Sequence, residues 1–266
     1  MKSGQYDQLM IQCLGYSYLK KGTVYYGDDY LQSLRLHLQE DGLLEAYKNE
    51  LSEVTKNDPL GRIKMCSIAS SSRLCYLASK TIILEINEHE KTDVQNGCCA
   101  PHFDAYSSET FTFYEFKCHE FCQESHDVLV NSYKPLLKSL FNISCEDTTE
   151  LRFLDFGVEM PNNPLINKIR FDFKQFICHI IGLLSIVSKT RKPTLQYVWV
   201  IPDVPLNEDL QKFVADMNSQ IDSIFFQIGN LKTNTGKEEG LLKEFISFEL
   251  RTVPATSIPD FVLADL

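Results

Sequence analysis

An apolar run from Leu195 to Ile201, closed by Pro202-Asp203, limits the fold of this chain more than any other stretch. A strand of this kind has to be buried on both faces, which is typical of a central strand covered by helices. Just before it, residues 171–188 carry apolar side chains along one wide helical face. Together they predict an α/β protein with a central mixed β-sheet flanked by helices.

Hydrophobic spacing elsewhere predicts the remaining elements. The predicted helices cover residues 5–20, 28–54, 62–79, 124–142, 171–188 and 207–229. The predicted strands cover residues 81–86, 102–106, 110–118, 195–201 and 245–253. Gly42 is a candidate break in the second helix, residues 87–100 are a predicted loop, and Ser107-Ser108-Glu109 turns a predicted hairpin.

The 266 residues, of which 44% are hydrophobic, suffice for one large core. We expect a single domain over 1–266, with a helical extension over 1–60, a core over 61–203 and a helix-strand extension over 204–266. The first residues show no secretory signal and the nine cysteines are odd in number, so we expect free thiols and a cytoplasmic location. The longest apolar stretch is too short to span a bilayer.

Charged residues interrupt the apolar hairpin in a pattern that suits a site for a divalent cation. Residues two apart on a strand share a face, so Glu115 and Lys117 project together, and hairpin pairing brings Asp104 alongside Glu115. Two carboxylates suit Mg²⁺ or Mn²⁺, and a lysine can orient or deprotonate a metal-bound water for hydrolysis of a phosphodiester. Taken alone, a Glu-x-Lys pair is more often a salt bridge or a solvated face.

The order Pro101…Asp104 followed by Glu115-Phe-Lys117 resembles the PD-(D/E)XK, restriction-endonuclease-like superfamily. The longer segment Glu115-Phe-Lys-Cys-His-Glu120 is similar to one bacterial branch with a strand ending Glu-Val-Lys-Cys-His-Glu. Two further segments echo that branch, Ser70-Ser71-Ser72 and Gln175 to Gly182.

The resemblance covers about residues 60–203. It implies a restriction-endonuclease-like core and a role as a magnesium-dependent endonuclease that hydrolyses DNA. It also implies that Asp104 and Glu115 are ligands of Mg²⁺ or Mn²⁺ and that Lys117 is the catalytic lysine.

The chain departs from the superfamily pattern at two points. Two residues separate Pro101 from Asp104, where the pattern has them adjacent, and residues 62–79 lack the Glu that the first core helix often supplies. Glu85 is a candidate third metal ligand in its place. The alternative is that Glu85 is an ordinary exposed strand residue.

Four further polar residues are candidates for the same site. Gln175 and His179 are four apart and share a helical stripe, and the resemblance implies that a polar residue on this helix faces the site. Gln175 is a candidate catalytic residue, and His179 a candidate for the surroundings of the metal; alternatively both lie at a solvent boundary. His119 and Glu120 follow the strand directly, where they either contact the metal's surroundings or simply end the strand.

The net charge of −10 excludes an overall basic coat for nucleic acid. The segment from Lys168 to Lys192 is locally basic, so it is either a path for the DNA backbone or the solvated rim of a helix. Enzymes that cut both strands often act as dimers, which leaves a homodimer as an expectation without a sequence signature.

Two other classes of function stay open. The acidic balance and the missing helix Glu favour a non-catalytic nucleic-acid- or protein-binding module that retains the nuclease fold. A zinc-stabilised regulatory protein is the weaker alternative, because recognisable Cys-x2-Cys pairs are absent from the sequence. Its candidate ligands are Cys98, Cys99, His102, Cys118, His119 and Cys122.

Overall fold

The computed structural model describes residues 3–15, 18–54, 60–81, 84–91, 101–118, 157–159, 168–170, 173–188, 190–203, 215 and 242–266. The helices are α1 (Ser3–Leu14), α2 (Asp28–Glu40), α3 (Ser71–Ser79), α4 (Phe173–Leu184) and α5 (Leu242–Phe245). The strands are β1 (Glu88–Lys91), β2 (Phe103–Ser107), β3 (Thr112–Lys117), β4 (Gly157–Glu159), β5 (Lys168–Arg170), β6 (Thr194–Ile201) and β7 (Ser247–Pro254). The helix predicted over 124–142, most of that over 207–229, and His119 and Glu120 lie outside the described residues.

Five strands form one mixed sheet in the order β1-β2-β3-β6-β7. The first three are antiparallel, whereas β6 runs parallel to β3 and β7 runs parallel to β6. Strands β4 and β5 form a separate antiparallel pair. Every residue of β6 after Thr194 is buried, as its apolar run predicts. A mixed sheet with flanking helices confirms the α/β prediction.

The middle of the sheet, formed by β3 and β6, is buried on both faces. On one face α4 packs the rings of Phe176 and His179 against Tyr197 of β6, in edge contacts. On the other face Tyr114 and Phe116 of β3 are buried. Buried side chains from both ends of the chain join one connected core. The strand ends in this sheet therefore sit in a rigid, well-packed frame.

Two predicted helix boundaries differ most from the structure, the end of α2 and the start of α3. Helix α2 ends at Glu40, and Gly42 has a φ of +72°, a left-handed conformation that favours glycine and confirms the predicted break. Helix α3 begins only at Ser71, after Ser70 caps it by accepting a hydrogen bond from the backbone N–H of Arg73. Before it, Lys64–Cys66 forms a short 3₁₀ turn.

The strand predicted over 81–86 is wrong. Residues 84–87 are irregular, and the strand β1 forms from Glu88, inside the predicted loop. β1 lies at the edge of the sheet and pairs only with β2 in the described structure. Charged side chains are common on edge strands, so its polar composition conceals it from a search for apolar alternation.

The described residues bear on two expectations drawn from composition, free thiols and the lack of a stretch long enough to span a bilayer. The five described cysteines are free: Cys13, Cys66, Cys75, Cys118 and Cys178. Among the helices in the described ranges, none combines the length and the apolar character needed for a bilayer crossing.

Candidate active site

The candidate site is built on the last three residues of β3. Glu115 and Lys117 alternate with Phe116, which points to the other face of the sheet and is fully buried. β3 lies between β2 and β6, so Glu115 is in the middle of the sheet and is only 5% exposed. A carboxylate at such a position requires compensating partners.

Glu115, Lys117 and Gln175 form a closed triangle of hydrogen bonds. The Lys117 ammonium donates to Glu115 Oε1 and to Gln175 Oε1, each at 2.6 Å. The Gln175 amide Nε2 donates to the same Glu115 oxygen, also at 2.6 Å. Gln175 comes from the first turn of α4, so helix and strand meet at this point. Each side chain in the triangle is hydrogen-bonded to the other two, and these bonds stabilise the buried ion pair of Glu115 and Lys117.

Asp104 joins the site through the backbone of β3. The β2–β3 register pairs Ala105 with Tyr114, so one step further along sets Asp104 opposite Glu115. There, Asp104 Oδ2 accepts a hydrogen bond of 2.7 Å from the backbone N–H of Phe116. The structure thus brings Asp104, Glu115 and the Lys117 side chain to the same strand end, as the hairpin pattern predicts.

Glu85 is not drawn into this group. It is exposed and lies outside any strand. Burial raises the pKa of the Tyr114 phenol, and the nearby negative charge of Glu85 adds to the rise. Because Tyr114 and Glu115 alternate along β3, their side chains point to opposite faces of the sheet. The geometry therefore favours the alternative for Glu85, an exposed residue, over a metal ligand beside Glu115.

His179 lies one helical turn beyond Gln175 and is only 2% exposed. Its Nε2 is 3.1 Å from the backbone oxygen of His102 and 3.7 Å from Glu115 Oε2. Its Nδ1 is 3.0 Å from the hydroxyl of Tyr197. A position at a solvent boundary is therefore excluded for His179, which instead underlies the site.

Sequence reasoning missed Tyr197. In the sequence it stands inside an apolar run and reads as a core residue, and its ring is indeed buried. In the sheet it is the direct neighbour of Glu115 across the β3–β6 pair. A polar tip in a central strand beside a charged strand is the one signal that could have found it.

The basic segment from Lys168 to Lys192 is divided between two ends of the sheet. Helix α4 begins at the site end of β3, through Gln175, and its 12 residues extend about 18 Å along the sheet. Arg191 stacks on the ring of Phe111 at 4.4 Å and donates to carbonyls of the β2–β3 turn, where β3 begins. Arg191 therefore does not lie beside Lys117, and contact of the basic segment with a DNA backbone stays a prediction.

The donor set fits a hard cation held by few protein ligands. Within the described ranges, no group of three His, Cys, Asp or Glu side chains is arranged to hold a metal ion. Asp104 and Glu115 supply two carboxylates, and Mg²⁺ is usually held by one or two carboxylates together with waters and substrate phosphate. The residues present therefore suit Mg²⁺ or Mn²⁺ without a third carboxylate.

The proposed zinc cluster is described only in part. Cys118 is buried and His102 is exposed. The other four members, Cys98, Cys99, His119 and Cys122, lie outside the described residues.

Comparison of the chain with protein-family models, with curated proteins and with solved structures gives no significant match.

Proposed function

We propose that this protein is a metal-dependent nuclease of the PD-(D/E)XK kind that hydrolyses phosphodiester bonds in DNA. The observation that carries the proposal is the Glu115–Lys117–Gln175 triangle, with Asp104 held beside it at a strand end. A well-packed apolar cluster is often at least as stable as a buried ion pair, so stability alone gives no reason to keep these charges. Clustered charges in a central sheet are typical of functional sites.

Each side chain has a distinct role in this proposal. A bound Mg²⁺ supplies an acidified water and stabilises negative charge on a phosphoryl oxygen. Asp104 and Glu115 would hold the ion, and the Lys117 ammonium would orient the attacking water or neutralise charge that develops on the phosphate. Gln175 keeps that ammonium in place, because its amide accepts from Lys117 while it donates to Glu115.

A DNA backbone would approach at the end of the sheet where α4 begins. Lys168 and Arg170 precede that helix in the chain and are candidate phosphate contacts by sequence. Cleavage of both strands would be served by a homodimer, and the cytoplasmic location also stays a prediction.

The experiment is cleavage of plasmid and oligonucleotide DNA with Mg²⁺ or Mn²⁺. Glu115→Gln and Lys117→Met each remove one charge with little change in volume, and we expect each to lower the rate about 100-fold or more. Lys21→Met, an exposed change in a turn between α1 and α2, is the control that also removes one positive charge, and it should leave the rate unchanged. Cleavage that persists in both site variants would contradict the proposal.

One observation favours the second candidate, a binding module without catalysis. Glu115 Oε1 already accepts from both Lys117 and Gln175, so the carboxylate is engaged without any ion. Calorimetric titration with Mn²⁺ separates the two candidates. Binding that Asp104→Asn abolishes supports the nuclease, whereas DNA binding without Mn²⁺ binding or cleavage supports the module.

A further inference from the structure

The buried imidazole ring of His179 contacts residues on both sides of Glu115, one in β6 and one just before β2. His179 projects from α4, and its Nε2 contacts the carbonyl of His102, the second residue before Asp104. Its Nδ1 contacts the hydroxyl of Tyr197 on β6. Because β3 lies between β2 and β6, the ring of His179 spans the strand that carries Glu115.

The neighbours of the ring determine where its proton lies. Nε2 faces a backbone carbonyl at 3.1 Å and the Glu115 carboxylate at 3.7 Å, and both of these groups are acceptors. Nε2 therefore carries hydrogen and donates to His102; 3.7 Å is too long for a hydrogen bond to Glu115 but allows electrostatic attraction. In the neutral ring Nδ1 is then an acceptor, and the Tyr197 hydroxyl is its donor.

We infer that Tyr197 is a positioning residue for the proposed metal site. Its hydroxyl fixes the tautomer and orientation of His179, whose Nε2–H then anchors the backbone just before Asp104. The backbone ladder between β2 and β3 runs from Ala105–Tyr114 to Ser107–Thr112, so the separation of Asp104 from Glu115 depends on ties of this kind. The inference rests on the proposed function, because it concerns the same two carboxylates.

The surrounding packing leaves the ring little freedom. The ring of Phe103 lies 4.6 Å from that of His179, centroid to centroid. Tyr197 is held in turn by edge contacts with Phe176 and Phe248. Removing the Tyr197 hydroxyl therefore leaves the aromatic packing in place and deletes the polar contact with His179.

Tyr197→Phe is accordingly the test variant, and Tyr6→Phe is its matched control. Tyr6 is also fully buried and donates a hydrogen bond of 2.6 Å to the carbonyl of Val200. We expect Tyr197→Phe to weaken Mn²⁺ binding about tenfold in calorimetric titration, since partners of ligand-supporting groups typically act on this scale. Tyr6→Phe should change the affinity less than about twofold, although both variants lose a buried hydroxyl of similar energetic cost.

A second pair of variants keeps the inference testable if Tyr197→Phe folds poorly. In His179→Gln the side-chain amide nitrogen reaches the position of Nε2, so it can still donate to His102 and should retain Mn²⁺ affinity within about threefold of the wild type. His179→Ala removes the donor and should lose about tenfold. Nitrogen-15 NMR of the wild-type imidazole should show the Nε2–H tautomer.

Two results would overturn the inference alone: an Nδ1–H tautomer in the wild type, or wild-type Mn²⁺ affinity in both Tyr197→Phe and His179→Ala. A wild-type protein that neither binds Mn²⁺ nor cleaves DNA would overturn the proposed function and this inference with it. The tautomer measurement distinguishes these cases because it requires no metal.

Discussion

Two buried ion pairs in this molecule have nearly equal geometry and different surroundings. Arg73 and Asp260 approach to 2.7 Å with side chains 1% and 13% exposed. Lys117 and Glu115 approach to 2.6 Å with side chains 12% and 6% exposed. Distance and burial alone would therefore assign both pairs the same role.

The other partners of the two cations separate them. The Arg73 guanidinium also donates to the backbone carbonyls of Ser67 and Ile68, which are fixed by the fold. The described bonds of the Lys117 ammonium end on side-chain oxygens of Glu115 and Gln175, which can rotate. An arginine stays charged and clamps rigid acceptors, whereas a lysine is a mobile point charge that chemistry can use. The comparison indicates a structural clamp in one region and a functional group in the other.

Removing the Arg73–Asp260 ion pair, the structural clamp, should have the largest effect on stability. Arg73→Met leaves the Asp260 carboxylate buried without its cation and should lower the free energy of unfolding by about 3–5 kcal/mol. Urea denaturation followed by circular dichroism measures this loss. Arg191→Met, on an exposed arginine that also contacts an aromatic ring, is the control and should cost less than about 1 kcal/mol. An equally small loss in Arg73→Met would mean that the Arg73–Asp260 ion pair does not stabilise the fold.

A substitution that keeps the positive charge of Lys117 tests whether this residue has a functional role. Lys117→Arg should fold and yet lower DNA cleavage about 100-fold, because a guanidinium is wider than the ammonium held at 2.6 Å and cannot release a proton. Plasmid cleavage with Mn²⁺ measures the rate, and the urea midpoint checks the fold. A wild-type rate in Lys117→Arg would mean that only the positive charge matters at this position.

The sequence predicts the site better than it predicts the clamp, for a physical reason. The alternation of Glu115 and Lys117 and the four-residue spacing from Gln175 to His179 follow from the periods of strand and helix. The contact between Arg73 and Asp260 joins residues far apart in the chain, and no local period reports it.

Local sequence patterns also do not predict the direction of α4 across the sheet or the edge strand β1. The position of Arg191 at the far end of the sheet depends on the direction in which α4 crosses the strands, which the sequence does not encode locally. Strand β1 forms through pairing with β2 rather than through an apolar face of its own. Tertiary context decides both features, as it often does for strands.

A third region shows what burial does to a group that is not held in an ion pair. The Nδ1 of His89 lies 2.6 Å from the Tyr47 hydroxyl, and burial, helped by the charge of Lys80, lowers the pKa of the imidazole to about 4. An unfolded histidine titrates near 6.5, so below that pH the unfolded chain binds the proton first. This contribution to stability is complete above pH 6.5 and is lost as the pH falls towards 4.

The expected size of the loss at His89 is at most about 3 kcal/mol, and partial solvation reduces it. Unfolding by urea at pH 7 and at pH 5 should show a steeper loss of stability in the wild type than in His89→Gln, which cannot titrate. Equal slopes in the two proteins would show that His89 has the same pKa in the folded and unfolded chain, so that burial does not lower it.

The smallest expected effect concerns the serines at the start of α3, Ser70 to Ser72, which resemble a segment of the nuclease branch. In the structure Ser70 caps the helix that carries Arg73, by accepting from the Arg73 backbone N–H at 3.2 Å. Ser72 donates to Glu50. Ser70→Ala should therefore lower the free energy of unfolding by about 1 kcal/mol, the usual cost of a lost cap, and leave DNA cleavage unchanged. Ser70→Asp, which keeps a capping oxygen, should restore the stability. A fall in cleavage without a fall in stability would instead indicate that Ser70 contributes to the candidate site.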